Sequence, residues 1–403
     1  MPLTVNSIMK IRIGAGFVLA VVWLIPLCIP YFIPDSELIV PVGLGTVVLI
    51  LSNLSLFFLF LFLFSCLGGS GGISKVNVAV SQIDYYIFSK RIDIIFYFWI
   101  FVYLVNIVGS GGIPLLWILQ GDPRTYVDFG LPTLGGLGNL MRAYVLTSCY
   151  LIYFHSNLIL KVRRRYLCIG ILLLISAFLL ETGRGNGIVL LLHPVGLHFL
   201  LHEFKIKSII KIILFIFIFI IGLGLIQMIR YSDGFDKLEM YAKNSGFENA
   251  ASLDLLLIPA VMYISIPVIN TDLNFQVAEL FEFKPYYSLQ GILPTIIRDA
   301  IFERGDYGKL VNEANNVSSY YIPFIRDFGQ LGAFFIVSLI LLVVAYCYNK
   351  ARRGNVYYVL SYPPLFMSLV LSFFSLFFTS LVVLLYPFFV YWSLRKCIRK
   401  NVR

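Results

Sequence analysis

Residues Tyr166–Leu201 read YLCIGILLLISAFLLETGRGNGIVLLLHPVGLHFLL, which is two apolar runs joined by the polar turn ETGRGNG. The runs before and after the turn contain 15 and 14 residues. As α-helices they would be roughly 21 to 23 Å long, shorter than the hydrocarbon core of a bilayer at about 30 Å. The turn is therefore predicted to lie below the lipid surface, where Glu181 and Arg184 need a wet cavity or each other.

The composition places the whole chain in the membrane class. Hydrophobic residues make up 59% of the sequence and charged residues 13%, with a mean hydropathy of +0.88, far outside the soluble range. We predict an all-α polytopic membrane protein with about ten transmembrane helices. The predicted spans are Phe17–Phe32, Leu38–Phe64, Ile92–Val108, Leu137–Leu160, Tyr166–Leu180, Ile188–Leu201, Ile209–Met228, Ala333–Tyr348, Tyr357–Phe374 and Leu376–Trp392.

The net charge of +10 would suit a nucleic-acid partner, but the positions of the cations argue against one. About two thirds of the 31 Lys and Arg residues fall in alternate loops, within 10–12, 75–91, 161–165, 205–211, 350–353 and 395–403. The intervening loops are mostly acidic. By the positive-inside rule the basic loops and both termini are cytoplasmic.

The outer side carries one large excursion within a single transmembrane domain that spans residues 1–403. No internal repeat is present, and the excursion covers about residues 229–332. Its apolar stretch Leu255–Ile269 is interrupted by Pro259 and Pro267. A true crossing there would place the basic run 350–353 outside, so we predict a re-entrant or surface-lying helix. Aromatic, amide and arginine residues later in the excursion suit sugar recognition.

Five short segments resemble, in this order, the bacterial O-antigen polymerase family, also called oligosaccharide repeat unit polymerases. They are SGGIPLL from Ser110, DFGLP from Asp128, TGRG from Thr182, IRYSDG from Ile229, and NNVSSYY with RDFGQLG from Asn315 to Gly332. The resemblance covers roughly residues 100 to 340. It implies a C-type glycosyltransferase fold in the bacterial inner membrane, with a periplasmic active site.

The resemblance also implies a substrate and partners. Such enzymes join oligosaccharide repeat units carried on undecaprenyl diphosphate: a sugar hydroxyl of one unit attacks the anomeric carbon of the growing chain, and undecaprenyl diphosphate leaves. Membrane lipid and a chain-length regulator protein are the further expected partners. The related O-antigen ligases carry a histidine in the segment that matches Asn312 to Tyr321. This chain has Asn315 and Asn316 there, which favours the polymerase and removes one obvious base.

The chemistry needs cations where the diphosphate leaves, and arginine binds phosphate oxygens two at a time. Arg184 is the first candidate for this catalytic role, and the general base is expected among three carboxylates, Glu181, Asp299 and Asp327, without a choice between them. Further residues expected to bind diphosphate or sugar are Arg230, Arg298, Arg326, Asn315, Asn316 and Tyr320. The outer loops hold no histidine and no Asp-x-Asp pair, so we expect neither a metal nor another cofactor.

Several alternatives remain open at this stage. Arg184 could form a structural ion pair with Glu181 at helical spacing, and Arg326 with Asp327 could be a surface pair. The competing functions are O-antigen ligase and lipid-linked oligosaccharide transporter, in which intramembrane arginines would also bind diphosphate. A transporter is expected to show matched halves with broken helices, and no second copy of the short-helix pair is found. An acyltransferase would need an intramembrane histidine or serine nucleophile that the sequence does not clearly offer.

Overall fold

The computed structural model describes residues 10–11, 14–32, 38–68, 71–125, 128–182, 184–205, 239–240, 242–243, 247, 252–301, 308–311 and 317–398. This part of the chain is helical. Its helices are α1 (Ala15–Phe32), α2 (Leu44–Gly68), α3 (Ile73–Ser81), α4 (Tyr85–Ser110), α5 (Pro114–Gln120), α6 (Leu134–His155), α7 (Leu160–Ile175), α8 (Arg184–Leu201), α9 (Ser252–Val277), α10 (Thr295–Ile301), α11 (Tyr321–Arg352), α12 (Val356–Val370) and α13 (Leu381–Leu394). Two-residue strands, β1 (Lys10–Ile11) and β2 (Phe204–Lys205), pair antiparallel.

Four stretches of the described chain are long and apolar enough to cross a membrane: Ala15–Phe32, Leu44–Leu67, Tyr85–Gln120 and Tyr321–Arg352. Three shorter apolar helices lie within α8, α12 and α13. The prediction of a helical chain with helices long and apolar enough to span a membrane is confirmed. The count of ten spans is not reached, because the other predicted runs form helices below these limits or, for Ile209–Met228, lie outside the described residues.

The two short helices around the polar turn form as predicted. Helix α7 continues into one π-helical turn, Ser176–Leu180, and α8 begins at Arg184, four residues earlier than the apolar run. A Cβ on Gly187 would lie 2.3 Å from the Phe178 ring, so α8 packs against the π turn more closely than a larger residue allows. Because α8 begins at Arg184, the turn between the two helices is shorter than the sequence suggested.

The described basic loops gather at one end of the helix bundle. The Gly72 N–H donates to the Arg352 carbonyl oxygen at 3.1 Å, which joins the start of α3 to the end of α11. The Asp84 N–H donates to the Cys397 carbonyl oxygen at 2.6 Å, which joins the start of α4 to the chain after α13. Arg165 at the start of α7 pairs with Asp93 on α4 at 3.0 Å. We call this the basic end.

Helix α9 makes its hydrogen bonds to other elements at the opposite end, near the start of α2 and the approach to α11. Thr46 donates to the Asp272 carboxylate at 2.7 Å, and the Asn270 side-chain amide donates to the Val317 carbonyl oxygen at 2.8 Å. The Asn274 amide donates to the Lys309 carbonyl oxygen at 2.8 Å. Buried polar side chains of α9 thus form hydrogen bonds with backbone groups of the neighbouring loop segments and hold these segments in place. We call this the loop end.

Helix α11 is broken at Gly329, where φ is +72° and ψ is −173°. A Cβ at this position would lie 2.6 Å from the Glu279 carbonyl oxygen, so both the backbone conformation and the close approach require glycine. The chain after α9 runs along this break, since the Gln330 N–H donates to the Glu279 oxygen and the Glu282 N–H to the Phe328 oxygen. The sequence-based prediction assigned this part of α11 to the outer loop because its residues are polar.

Candidate functional site

The most deeply buried ion pair of the described chain joins Arg142 on α6 to Glu181, the residue after the π turn. The Arg142 Nη1 lies 2.6 Å from Glu181 Oε1, and Nη2 lies 3.0 Å from Oε2. Both residues are almost inaccessible, with 2% and 5% of their surfaces exposed. Two parallel N–H···O bonds fix the orientation of both side chains, which is the strongest geometry for an arginine and a carboxylate.

Local backbone geometry places Glu181 opposite Arg142. The Glu181 N–H donates to the Ser176 carbonyl oxygen at 3.0 Å, five residues back, which is the spacing of a π turn. The extra residue in this turn rotates the following side chains relative to a continuous α-helix. Ser176 also accepts from Arg142 at 3.4 Å through its hydroxyl oxygen, and the Asn139 side chain accepts from Arg142 Nη2. The guanidinium is thus held from two helices.

A small cavity of about 40 Å³ adjoins this pair. It is lined by Trp99, Tyr103 and Asn106 on α4, by the start of α6, and by Asn186 on α8. The Arg142 Nε and the Tyr103 hydroxyl are buried and have no hydrogen-bond partner among the described residues. A volume of this size can hold water, which would lie beside the buried ion pair.

Three of the five segments that carry the family resemblance meet around the Arg142–Glu181 pair. Ser110 accepts a hydrogen bond from the Gly130 N–H at 2.9 Å, which joins the first segment to the second. Phe129 and Gly130 line the cavity, and Glu181 directly precedes the third segment. Segments that lie 20 to 70 residues apart in sequence are therefore neighbours at the loop end.

The segment between α5 and α6 is braced by Arg124. Its guanidinium stacks over the Trp117 ring at 4.3 Å from the centroid and donates to the Ser110 carbonyl oxygen at 2.7 Å. It also pairs with Asp122 at 2.7 Å, and these side-chain hydrogen bonds lower the pKa of the Asp122 carboxyl. Arg124 therefore uses its charge locally, in folding the loop that covers the cavity.

Five of the predicted site residues lie partly or wholly outside the described residues. Arg184 is the first residue of α8, so its backbone is placed at a helix N-terminus next to the fixed Glu181, while its side chain lies outside the described part. Arg230, Asn315 and Asn316 lie outside the described residues altogether. Asp299 belongs to α10, and its side chain is likewise outside the description.

The partner of Glu181 that the structure describes is Arg142. The two carboxylate oxygens of Glu181 face Arg142, which lies 39 positions away in sequence. The local Glu181–Arg184 ion pair stays a prediction, because the Arg184 side chain lies outside the described part of the chain. A carboxylate engaged at both oxygens by a guanidinium is also poorly suited to accept a proton from a sugar hydroxyl.

Asp327 holds a loop rather than facing a cleft. Its side chain is fully buried and accepts hydrogen bonds from the backbone N–H groups of Tyr286 (3.1 Å), Tyr287 (2.9 Å) and Ser288 (2.7 Å). Three such bonds satisfy a buried carboxylate and fix the chain that runs between α9 and α10. The expectation of a general base at Asp327 is not supported, because no oxygen of this carboxylate is accessible.

Arg326 lies beside this anchor, with its guanidinium carbon 3.4 Å from the centre of the Tyr287 ring. The side chain is partly buried, and stacking fixes its plane. Arg298 on α10 is also partly buried at the same end of the molecule. The alternative in which Arg326 pairs with Asp327 is not what the structure shows, since the Asp327 oxygens are taken by backbone N–H groups.

Tyr320 is buried in an aromatic cluster, with 1% of its surface exposed. Its ring lies 5.6 Å from Trp23, 4.4 Å from Tyr321 and 5.9 Å from Phe378, measured between centroids. The prediction that Tyr320 binds sugar directly is therefore wrong for this arrangement of the chain. The ring packs α1 against the start of α11, and no face of it is open to a ligand.

The sequence-based prediction did not include Arg142 as a site residue, although its position within a predicted span indicates one. It lies inside the predicted span Leu137–Leu160, and the cost of a charge at membrane depth applies to it as much as to Arg184. Its partner could not be found from spacing, because the contact joins two different helices. A search for every arginine or carboxylate within a predicted span would have identified Arg142 as a candidate.

Within the described part of the chain, no group of three or more His, Cys, Asp or Glu residues is arranged to hold a metal ion. His198 and His202 stack on each other with centroids 4.3 Å apart, and His155 lies 5.5 Å from His202. The Tyr150 hydroxyl is 2.6 Å from His198 Nδ1. These contacts pack the ends of α6 and α8 against each other.

Comparison of the chain with protein families, with curated proteins and with solved structures finds no match in any of the three.

Proposed function

We propose that this protein polymerises lipid-diphosphate-linked oligosaccharide repeat units at the loop end of the bundle. A sugar hydroxyl of one unit attacks the anomeric carbon of the growing chain, the bond to the diphosphate breaks, and the polyprenyl diphosphate leaves with the bonding electrons. The hydroxyl proton passes to a base or to water. The donor lipid is undecaprenyl diphosphate by the family resemblance.

The observation that carries the proposal is the meeting of three motif segments around the Arg142–Glu181 pair. Ser110 and Gly130 belong to the first two segments and Glu181 directly precedes the third, and the three residues border one region although nothing in the spacing of the sequence requires it. Residues that share a function are expected to converge in this way. The convergence also sets α8, with Arg184 as its first residue, beside the pair.

In this proposal Arg142 and Glu181 are positioning residues. The pair fixes the turn before α8, and Arg184 then meets the leaving diphosphate at the helix N-terminus, where backbone N–H groups and the helix dipole favour an anion. A Cβ on Gly185 would meet no atom within 4 Å, so the start of α8 borders open space. An arginine held in advance stabilises the charge that develops on the diphosphate without reorganisation.

Arg326 is the next candidate for contact with substrate. Its stacking on Tyr287 leaves the planar guanidinium oriented, and Asp327 holds the backbone beneath that ring. A guanidinium fixed on an aromatic ring can donate two parallel hydrogen bonds to a phosphate or to sugar hydroxyls. Arg298 belongs to the same face in this proposal.

We also propose that the basic end faces the cytoplasm of a bacterial inner membrane and the loop end faces the periplasm. The alternation of basic loops supports this orientation. The loop end then receives lipid-linked units after they have crossed the membrane. A partner that regulates chain length would act on the same face.

The test is a reconstituted polymerisation. The purified protein in liposomes receives lipid-linked repeat units extracted from the source cells, and the products are separated on a gel. The proposal expects a ladder of lengthening glycans on lipid diphosphate, and its absence from the Arg184→Ala protein. An active preparation that moves the units across the bilayer without lengthening them would establish a transporter. Transfer to a lipid A core acceptor without a ladder would establish a ligase.

A further inference from the structure

A second cavity lies at the basic end, away from the proposed transfer site. Its volume is about 300 Å³, and it is open to the surface. One face of α3 and the turn between α11 and α12 line it, and two of the lining side chains, Lys75 and Arg353, are cations. This volume is large enough for a phosphate group with part of its ester substituent.

The two cations are brought to one cavity by close backbone packing. Gly354 has φ of +84°, and a Cβ there would lie 2.6 Å from the Lys75 carbonyl oxygen. A Cβ on Gly71 would lie 2.7 Å from the Arg352 side chain, and Arg352 donates to the Gly71 carbonyl oxygen at 2.9 Å. The α11–α12 turn therefore sits directly on α3, and the cavity wall is a packed part of the fold.

Arg353 has a donor that the described structure does not satisfy. Its Nη2 donates to the Phe64 carbonyl oxygen at the end of α2, which fixes the guanidinium. Its Nε is buried and has no hydrogen-bond partner among the described residues. Because Nε itself is inaccessible, an anion in the cavity would meet the rest of the guanidinium, which the Phe64 contact holds in place.

The lining is amphipathic. Ser74 adds a hydroxyl beside the two cations, while Val78 and Ala79 form an apolar side, and Val78 is 57% exposed. A phosphodiester that carries a glycerol backbone presents the same two faces, an anion next to apolar carbon. The other basic residues gathered at this end raise the local concentration of anions.

We propose that this cavity binds a phosphate group, and that the group is the headgroup phosphate of an anionic phospholipid. The Lys75 ammonium and the Arg353 guanidinium hold its oxygens, and Val78 contacts the glycerol and acyl carbon. The inference does not depend on glycosyl transfer, because the cavity is at the opposite end of the bundle. Bound lipid would join α3 to the α11–α12 turn.

The test is native mass spectrometry of the delipidated full-length protein titrated with phosphatidylglycerol, with phosphatidylcholine as the neutral comparison. We expect phosphatidylglycerol to bind preferentially, and Lys75→Glu to weaken it by about tenfold or more. Lys90→Glu is the matched control, since Lys90 is an exposed cation at the same end and outside the cavity. Unchanged melting temperature and elution volume of Lys75→Glu would show that its fold is kept.

The arms of the experiment separate the outcomes. Displacement of the lipid by millimolar inorganic phosphate would assign the cavity to free phosphate and overturn the lipid headgroup. Equal binding to wild type and Lys75→Glu, or an equal loss in Lys90→Glu, would overturn the cavity as the site. A second variant, Val78→Asn, adds a polar group without a charge and should weaken phosphatidylglycerol binding while leaving inorganic phosphate binding unchanged. Unchanged phosphatidylglycerol binding in Val78→Asn would overturn the apolar contact with lipid.

Discussion

Arg142 and Glu181 form a bidentate ion pair, at 2.6 and 3.0 Å, between the first half of α6 and the turn that precedes α8. The pair spans 39 residues of sequence and is nearly inaccessible to solvent. In the proposed chemistry the pair fixes the start of α8. Removing two charges from water costs free energy that their attraction need not recover, so stability alone does not explain why this pair is present.

Removing one partner of this pair should be strongly destabilising, and removing both should not. We expect Glu181→Gln to lower the free energy of unfolding by about 3 to 5 kcal/mol, because the Arg142 charge is left buried without compensation. The double variant Arg142→Met with Glu181→Met should recover most of that loss, measured by thermal unfolding in detergent. Its polymer ladder should remain absent, because the turn before α8 is no longer fixed. A normal ladder from the double variant would show that the pair is only structural.

Arg184→Lys should lower the rate of polymerisation by about 10²-fold at normal protein level, because lysine keeps the charge and loses the two-pronged phosphate contact. The measurement is the rate at which the ladder forms in liposomes. Arg165→Lys is the control, since Arg165 is half-exposed at the basic end and pairs with Asp93. Long chains made by Arg184→Lys and Arg184→Ala at the wild-type rate would contradict the catalytic role.

Asp327→Asn should lower the free energy of unfolding and have little effect on the rate of glycosyl transfer. An amide presents one acceptor oxygen to three backbone N–H groups and turns a donor towards them. We therefore expect the free energy of unfolding to fall by about 2 kcal/mol. Activity per folded molecule should fall by less than about tenfold and keep its pH profile. A general base would instead give a loss of about 10² to 10⁴-fold. Glu239→Gln, at an exposed ion pair with Lys243, is the control and should change neither measurement.

The sequence predicted the short-helix pair because two uninterrupted apolar runs flank one polar turn, and no tertiary contact is needed to see it. It missed the partners of Glu181 and Asp327 because both are about 40 residues away and lie on other elements. The start of α11 was placed in a loop, since its polar residues look solvated. In the structure their hydrogen bonds go to the chain after α9, which a periodicity argument does not contain.

Single cysteines should report the proposed orientation. In a variant without the native cysteines, Asp122→Cys and Lys309→Cys should react with a membrane-impermeant thiol reagent from the periplasmic side. Lys90→Cys and Arg164→Cys should react only after the membrane is opened, because they lie at the basic end. All four positions are on the described loops or helix ends. Labelling of Arg164→Cys from outside would reverse the orientation and move the loop end to the cytoplasm.

The reaction should proceed without a divalent metal. The described part of the chain has no carboxylate or histidine cluster suited to a metal, and carboxylates alone hold magnesium weakly through water. The proposed cations, Arg184 and Arg326, can instead neutralise the diphosphate as the anomeric bond breaks. We therefore expect the same ladder with and without a chelator, at equal enzyme and substrate concentrations. The control adds magnesium back to chelated samples, which should change neither the rate nor the product length. A ladder that disappears in chelator and returns with magnesium would overturn the arginine mechanism, because the leaving group would then depend on a bound metal.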